Sequence, residues 1–330
     1  MKKKATLRDI ANICGCSVTS VSRALKDSPT ISAAMRAKVK ETANKLGYIQ
    51  NLAASSMRTG FTNTIGVCLQ DFCNPYYAVI ASYIESYARS LGYSVLFSTT
   101  NELPMQEYDV CKNLIEKNVD GILFFPIQQD TRALELLQEQ QVPFVVVARR
   151  FYDIDTDYVI PDDERSAVLA TEHLIEKGAR SILFLNVTSS ISSARERLLG
   201  YRNAIQNHNL EEHIVEGSMQ FGHTRQLIRE MHSSIRNYDA VFAFCDIIGF
   251  ETYHTLRSMG VRIPREMKLI SIDGLQEDVP LPIHLTSIGT DRRTMSQEAI
   301  ELLIRKIHDP ENTGHEHITI NPYLIPGDTT

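Results

Sequence analysis

Polar and aromatic side chains follow several apolar segments of this chain. Asp246 and Asp273 stand close behind two of these segments, and Arg149 stands directly behind another. Carboxylates and guanidinium groups form directional hydrogen bonds with hydroxyl groups, and aromatic rings offer flat apolar surfaces for stacking. The combination suits a polar, hydroxyl-rich ligand such as a sugar or a nucleoside. The candidate ligand contacts are Phe72, Asn74, Tyr76, Arg149, Arg197, Phe221, Asp246 and Asp273.

A structural interpretation competes with the ligand-binding one at each of these positions. Asp, Asn and Ser are also the preferred N-caps of helices, and polar residues between ordered elements commonly form solvated loops. For any single candidate, the sequence leaves both interpretations open.

A second set of residues, near the N-terminus, has chemistry suited to nucleic acids. Arg23 can donate two parallel hydrogen bonds to O6 and N7 of a guanine, while Val18 and Thr19 can meet a base edge or a thymine methyl group. Phosphate contacts position a protein on DNA without reading its sequence, and the candidates for them are Thr6, Ser22, Lys26 and Ser32. The competing interpretation is a generic three-helix bundle with a solvated basic face.

Three short helices are predicted to position these N-terminal residues. Thr6 followed by Asp9 has the pattern of a capping box, and Gly15 can end a first helix with a positive φ. A second helix is predicted over Val18–Leu25, and a third begins after Ser32. The pattern indicates a helix-turn-helix, whose second helix enters the major groove of DNA. Its predicted apolar core consists of Leu7, Ile10, Val21, Leu25, Ile31, Val39 and Leu46.

Charge is distributed unevenly between this segment and the rest of the chain. Residues 1–60 contain 11 Lys and Arg against 3 Asp and Glu, whereas the whole chain contains 34 against 40. The remaining residues therefore carry 23 basic and 37 acidic side chains. A basic segment attached to an acidic body predicts that only the first segment meets phosphates.

Apolar segments of strand length alternate with amphipathic helical segments from residue 64 onward. Continuous apolar strands between helices are typical of parallel sheets that are buried on both faces. So many strands exceed the usual size of a single sheet. We therefore predict two doubly wound lobes with a ligand between the carboxyl ends of their strands. The predicted strands cover residues 65–69, 94–98, 121–125, 144–148, 181–185, 240–244 and 268–272.

The sequence argues against several other classes of protein. It contains no P-loop, no Gly-x-Gly-x-x-Gly behind a strand, no His-Glu-x-x-His and no Gly-x-Ser-x-Gly, so we predict no enzyme activity, no catalytic residue and no cofactor. His315 and His317 lie in a short polar stretch that predicts a solvated turn rather than a metal site. No apolar stretch is long enough to cross a membrane. Met-Lys-Lys-Lys is followed by Ala-Thr-Leu-Arg-Asp rather than by the apolar stretch of a signal peptide, and the six cysteines are scattered. Both observations predict a cytoplasmic protein with reduced thiols.

Residues 6–58 resemble the DNA-binding headpiece of the LacI/GalR family of bacterial transcription regulators. The matching residues are Thr6, Asp9-Ile10-Ala11, Val21-Ser22-Arg23, Ser32, Val39, Leu46-Gly47-Tyr48 and the segment 51–58. The resemblance implies a hinge helix in the minor groove, with a phosphate contact from Asn51 and groove contacts from Ala54 and Met57. Met57 stands where the family has a leucine, Gln50 where it has a proline, and Ser55 where a basic residue is frequent.

The rest of the chain resembles the effector-binding core of the same regulators, which is similar to the type I periplasmic sugar-binding proteins. Asn74-Pro75-Tyr76-Tyr77 and Arg197-x-x-Gly200-Tyr201 match family motifs, and Asp246 matches the aspartate of an Asn-Asp pair. This chain departs from the family pattern at Ala148, Asp163 and Cys245, where Asp, Asn and Asn are usual.

The resemblance implies a domain organisation and a function. It implies a headpiece over residues 1–49, a hinge over 50–60 and a core over 61–330. One lobe of the core would contain about 61–161 and 291–320, and the other about 162–290 and 321–330. The expected protein is a homodimeric repressor that binds a pseudo-palindromic DNA operator, on the nucleoid within the cytoplasm, and is switched by a small polar effector, a sugar or a similar molecule. An exported solute-binding protein and a sugar-modifying enzyme are the alternatives.

Overall fold

The computed structural model describes residues 5–49, 60–220 and 222–330. It divides into two compact units, which meet in the chain between Thr62 and Asn63. Three residues of the predicted hinge, Asn51, Ala54 and Met57, lie outside the described residues, as do Gln50, Ser55 and the candidate ligand contact Phe221. No helix in the described ranges combines the length and the apolar character that a membrane crossing requires.

Three helices, in the predicted order, are found in the described residues of the first unit. They are α1 (Leu7–Cys14), α2 (Val18–Leu25) and α3 (Ala33–Lys45). The capping box is present, because Thr6 Oγ1 accepts from the Asp9 backbone amide at 3.3 Å while the Asp9 carboxylate accepts from the Thr6 amide at 2.8 Å. Gly15 ends α1 in the left-handed conformation with φ of 70°, so the chain turns there without steric cost.

The apolar core of the headpiece differs from the predicted one at its C-terminal end. The fully buried side chains come from all three helices and are Ile10, Ala11, Cys14, Val21, Ala24, Val39 and Ala43. Leu46 is 37% exposed, so the prediction that it belongs to the core is wrong. Tyr48 packs against this core instead, because the chain turns at Gly47 with φ of 60° and carries Leu46 outward.

The described residues of the second unit form two six-stranded sheets. The strands are β1 (Thr64–Leu69), β2 (Ser94–Thr99), β3 (Gly121–Phe124), β4 (Phe144–Val147), β5 (Tyr158–Pro161), β6 (Ile182–Asn186), β7 (His213–Glu216), β8 (Ala240–Ala243), β9 (Lys268–Asp273), β10 (Thr286–Thr290), β11 (His317–Ile320) and β12 (Pro322–Ile325). The first sheet has the order β2-β1-β3-β4-β5-β11 and the second the order β7-β6-β8-β9-β10-β12. Every described strand pair is parallel except β10 with β12.

Both sheets are covered by helices on both faces, as predicted. The helices are α4 (Pro75–Ser90), α5 (Pro104–Glu116), α6 (Arg132–Glu139), α7 (Asp163–Glu176), α8 (Ser192–Asn207), α9 (His223–Met231), α10 (Asp246–Ser258) and α11 (Arg292–His308). In the first lobe, Val67 faces the core under α4 and α11, whereas Cys68 faces the core under α5 and α6. In the second lobe, α9 and α10 cover one face and α7 and α8 the other.

The chain passes between the two lobes three times. It leaves β5 for α7 at Asp162, leaves β10 for α11 at Asp291, and passes from β11 to β12 at residue 321. Because the strands are parallel, their carboxyl ends lie along one edge of each sheet, and the segments behind those ends carry the candidate ligand contacts.

Candidate functional site

The second helix of the headpiece presents its candidate base contacts outward. Val21 and Ala24 are fully buried, whereas Val18 is 41% exposed and Thr19 and Arg23 are also exposed. This division follows from the helical repeat, because residues three apart share one face. The outward face of α2 therefore offers one guanidinium group and two smaller side chains to a base edge.

The candidate phosphate contacts lie around this helix with different local roles. Thr6 and Ser32 are exposed N-cap residues, and Ser32 Oγ accepts from the Met35 amide at 3.3 Å. Lys26 is exposed and Ser22 is half-buried. Helix N-termini carry unpaired amides and a partial positive charge, so both capped ends are suited to phosphate oxygens.

Arg149 lies at the carboxyl end of β4 and is held by the first lobe itself. Its Nη1 donates to the carbonyl oxygens of Pro126 at 2.7 Å and Ile127 at 3.1 Å, and its Nη2 donates to Gln70 Oε1 at 3.2 Å. Gln70 is buried and also accepts from the Tyr77 hydroxyl. This network fixes the guanidinium group at the end of β4.

The loop between β1 and α4 contains the other candidates of the first lobe. Asn74 caps α4, because its Oδ1 accepts from the Tyr76 amide at 3.0 Å. Phe72 is 46% exposed and meets the ring of Phe97 edge to face at 5.9 Å. The hydrogen bond from the Tyr76 amide supports the interpretation of Asn74 as a helix cap. The exposed part of the Phe72 ring is accessible for stacking.

Tyr76 lies where the two lobes approach each other. Burial raises the pKa of its hydroxyl, and the carboxylates of Asp273 and Asp163 in the second lobe raise it further. The hydroxyl therefore stays protonated at neutral pH and can donate a hydrogen bond toward the second lobe.

Arg197 and Asp163 form a buried ion pair in the second lobe. Arg197 Nε donates to Asp163 Oδ1 at 2.7 Å, and Nη1 donates to the carbonyl oxygen of Phe244 at 2.5 Å. The guanidinium group also lies 4.3 Å from the centre of the Phe244 ring. The carboxylate of Asp163 thus compensates the charge of Arg197, which is one of the predicted ligand contacts.

Both carboxylate oxygens of Asp246 accept hydrogen bonds inside the second lobe. Oδ1 accepts from Ser271 Oγ at 2.5 Å and Ser287 Oγ at 2.7 Å, and Oδ2 accepts from the Leu275 amide at 2.7 Å. These bonds tie the start of α10 to strands β9 and β10, so Asp246 has a structural role in this conformation.

Asp273 ends β9 in an unusual backbone conformation, with φ of 128°. Its side chain is buried, and burial together with the charge of Asp246 raises the pKa of its carboxyl group to about 8. The neighbouring guanidinium groups of Arg197 and Arg292 oppose that rise. At neutral pH Asp273 is therefore largely a neutral acid, which can both donate and accept.

Several residues of this region were not among the sequence candidates. Arg292, at the first turn of α11, donates to the carbonyl oxygens of Asp273 and Gly274 and to the carboxylate of Asp278. Ser271 and Ser287 are fully buried serines within strands. For Ser271, its place inside the apolar segment 268–272 was the available signal, because a buried hydroxyl group requires a partner.

The two histidines near the C-terminus pair with carboxylates. His315 Nδ1 lies 3.2 Å from Asp157, and His317 Nε2 lies 2.8 Å from Asp155. His317 begins strand β11, so the predicted turn is wrong at that residue. Among the described residues, no group of three His, Cys, Asp or Glu side chains could hold a metal ion.

Comparison with known proteins places both units. Residues 62–326 match the family described as periplasmic binding proteins and sugar binding domain of LacI family, and residues 6–51 match the bacterial regulatory proteins of the lacI family. The HTH-type transcriptional repressor PurR of Photobacterium profundum is 27% identical over 325 residues, covering 97% of each chain.

Two solved structures extend the comparison. A transcriptional regulator CelR-cellobiose complex has a TM-score of 0.74 and 25% identity, covering 99% of this chain and 100% of that one. The lac repressor dimer bound to operator and the anti-inducer ONPF has a TM-score of 0.87 and 23% identity, covering 99% of each chain. At 23% identity, the similarity to the lac repressor structure shows a shared fold.

A basic helix-turn-helix headpiece and a two-lobed core with a polar cleft define a DNA-binding regulator that responds to a ligand. The chain belongs to the lacI family of bacterial regulatory proteins. It is a ligand-responsive transcriptional repressor, and the predicted family and fold class are confirmed.

Proposed function

We propose that this repressor binds a pseudo-palindromic operator as a homodimer and is switched by an uncharged, hydroxyl-rich ligand, a sugar, held between its lobes. Such a regulator acts in the bacterial cytoplasm, on the nucleoid. It has no catalytic step: ligand binding shifts the balance between two conformations of different operator affinity. The proposed base contacts are Val18, Thr19 and Arg23.

The carboxylate partners of two arginines support an uncharged ligand. Arg197 pairs with Asp163 and Arg292 pairs with Asp278, whereas Arg149 donates to two carbonyl oxygens and to Gln70. The observation that carries the proposal is the ion pair between Arg197 and Asp163. A guanidinium group that already has a buried carboxylate partner offers little net attraction to a phosphate or carboxylate group of a ligand.

The available hydrogen-bonding groups support hydroxyl recognition. The Tyr76 hydroxyl and the largely protonated Asp273 are held at the meeting of the two lobes, and each can donate and accept. Phe72 adds an exposed ring face for the apolar side of a sugar. The matched family description names sugar binding, and the CelR complex contains cellobiose.

A thermal-shift series on the full-length chain tests the ligand class. The probes are cellobiose, glucose and ribose, each neutral, and glucose 6-phosphate and ribose 5-phosphate, each anionic. We expect a neutral sugar to raise the melting temperature with concentration, because a ligand of the native state stabilises it by mass action. A larger rise with a sugar phosphate, or none with any sugar, contradicts the proposal.

A matched variant makes this test sharper. Asp163→Asn removes one negative charge next to Arg197 while preserving the shape of the side chain and one acceptor oxygen. We expect the variant to shift the preference toward the phosphorylated sugars. Glu212→Gln is the control, because Glu212 pairs with the exposed Arg202 on the outside of the lobe. Equal effects of the two variants contradict the role of the Arg197–Asp163 pair.

A further inference from the structure

A set of contacts joins the loops of the first lobe to the first two turns of α8 in the second lobe. Gln128, Arg150 and Tyr152 belong to the first lobe, whereas Ser192 and Glu196 belong to α8. These five residues are called the cross-cleft clasp below. Three of them are polar residues in loops behind β3 and β4, which places the clasp at the carboxyl ends of the strands.

The charged part of the clasp centres on one carboxylate oxygen. Glu196 Oε1 accepts from Arg150 Nε at 2.7 Å and from the Tyr152 hydroxyl at 2.7 Å. The Glu196 side chain is 11% exposed and that of Arg150 is 35% exposed, so water screens this pair only in part. Arg195, also on α8, stacks over the Tyr152 ring at 4.5 Å.

The second part of the clasp is a closed ring of three hydrogen bonds. The Arg150 amide donates to Ser192 Oγ at 3.1 Å, and the Ser192 amide donates to Gln128 Oε1 at 2.9 Å. Gln128 Nε2 closes the ring by donating to the Arg150 carbonyl oxygen at 2.7 Å. Two of these three bonds cross between the lobes.

The start of α8 depends on this ring. Ile191 occupies the N-cap position and provides no side-chain acceptor, so the first amides of α8 have no local cap. The Ser192 amide instead finds its acceptor on Gln128, in the other lobe. Separation of the lobes would therefore expose a helix terminus that the closed form satisfies.

The clasp is adjacent in sequence to both arginines of the ligand cleft. Arg150 follows Arg149, and Glu196 precedes Arg197. The positive charge of Arg149, in the first lobe, opposes the rise that burial causes in the pKa of Asp163, the partner of Arg197. A movement of the lobes that separates Arg150 from Glu196 therefore also changes the separation of these two guanidinium groups.

We propose that the cross-cleft clasp holds the two lobes closed over the ligand and fixes the spacing of Arg149 and Arg197. The inference rests on the proposed function, because it describes the regulation of the same cleft. Glu196 and Arg150 are positioning residues: they act through the arginines beside them and through the orientation of the lobes.

Amide hydrogen exchange of the full-length chain without ligand or DNA tests this directly. The Arg150 and Ser192 amides are protected only while the clasp is closed, since their acceptors lie across the cleft. In Glu196→Ala we expect both amides to exchange about tenfold faster or more, the effect of losing a hydrogen bond to a charged group. Alanine favours helix, so α8 itself is preserved.

Arg202→Ala is the matched control, because Arg202 forms an ion pair of 2.8 Å from the same helix to Glu212, within one lobe. We expect it to leave the Arg150 and Ser192 amides unchanged. The Val67 and Leu183 amides, in β1 and β6, report global stability and should not change in either variant.

Unchanged exchange at Arg150 and Ser192 in Glu196→Ala overturns the proposal, and so does an equal rise at Val67 and Leu183. The second result would mean a general loss of stability rather than an opening of the cleft. The exchange experiment contains no ligand or DNA, so its result does not depend on the thermal-shift series with sugars. The proposed ligand class can therefore be wrong while the cross-cleft clasp is confirmed.

Discussion

Arg197 Nε lies 2.7 Å from Oδ1 of Asp163, and both side chains are almost fully buried. This pair joins α8 to the start of α7 and gives the Arg197 guanidinium group a buried carboxylate partner. Asp163 also accounts for the burial of the Arg197 charge, because the guanidinium group has a carboxylate partner within hydrogen-bonding distance.

Breaking this pair should cost much more stability than breaking an exposed one. Asp163→Ala leaves the Arg197 guanidinium group buried without its carboxylate, and we expect the free energy of unfolding to fall by about 3 kcal/mol. Urea denaturation followed by circular dichroism measures it. Glu212→Ala removes the carboxylate of an exposed pair and should cost less than about 1 kcal/mol. Similar losses from the two variants would contradict the assignment.

A substitution of Gly200 should disturb the contact between α7 and α8. A Cβ atom at this position would overlap the carbonyl oxygen of Glu164 and lie 2.9 Å from Cβ of Ala167. We expect Gly200→Ala to lower the free energy of unfolding by about 1–3 kcal/mol, the usual cost of overpacking.

The control for Gly200 is Gly217→Ala. A Cβ atom there has its nearest neighbour at 3.6 Å, which is ordinary van der Waals contact. The change in stability should stay within about 0.5 kcal/mol. A tolerated Gly200→Ala would mean that the two helices are packed less closely than described.

The pH dependence of stability should report the buried carboxyl group of Asp273. Its pKa is raised to about 8 in the folded chain, whereas it ionises near its ordinary pKa of about 4 when unfolded. Between these pH values the unfolded state binds fewer protons, so the free energy of unfolding falls as the pH rises.

The comparison with Asp273→Asn isolates this effect. Asparagine tolerates a positive φ and cannot ionise. The range from about pH 5 to about pH 7.5 lies between the pKa values of Asp273 in the unfolded and folded chains. Over this range we expect the free energy of unfolding of the wild-type chain to fall relative to that of the variant, by at most about 1.4 kcal/mol per pH unit. Parallel stability curves for the two chains would show that Asp273 ionises normally.

Arg23 should contribute to sequence discrimination more than to general DNA affinity. We expect Arg23→Ala to weaken binding to the preferred operator by about 1–3 kcal/mol while weak binding to unrelated DNA persists. Gel shifts on both duplexes measure this. Lys45→Ala, at the C-terminal end of α3 where Lys45 pairs with Glu41, is the control. Equal weakening on every sequence would make Arg23 a phosphate contact.

Local sequence signals were sufficient for the headpiece and for the central strands. The second helix has the predicted bounds, because Ser17 caps it and its side-chain hydroxyl accepts from the Ser20 amide at 3.0 Å. All seven predicted apolar segments form strands. Each is rich in β-branched or aromatic residues and lies between helices, which is the pattern of a buried parallel strand.

Several of the remaining strands lack the same pattern. Edge strands β7 and β11 are only half-buried, so they lack a continuous apolar segment. Strand β10 is buried but has the sequence Thr-Ser-Ile-Gly-Thr, whose polar groups find partners only after folding. Ser287 in this strand, for example, donates to Asp246, 41 residues away.

The hydrogen-bond partners in the cleft also could not be predicted from the sequence. Sequence spacing placed Asp246 and Arg197 behind strand ends, but it did not reveal that Asp246 accepts from Ser271 and that Arg197 donates to Asp163. Those pairings join α7 to α8 and α10 to β9, so they depend on tertiary geometry. Gln128 and Glu196 were missed for this reason, since their partners lie in the other lobe.

Selection of bound duplexes from a random DNA library by the full-length chain tests the central claim most directly. The account predicts enrichment of pseudo-palindromic sites whose affinity falls steeply as salt rises, because the basic headpiece releases counterions from phosphates. It also predicts that a neutral sugar that raises the melting temperature changes this affinity. The absence of any enriched sequence, or binding that salt does not weaken, would contradict the account.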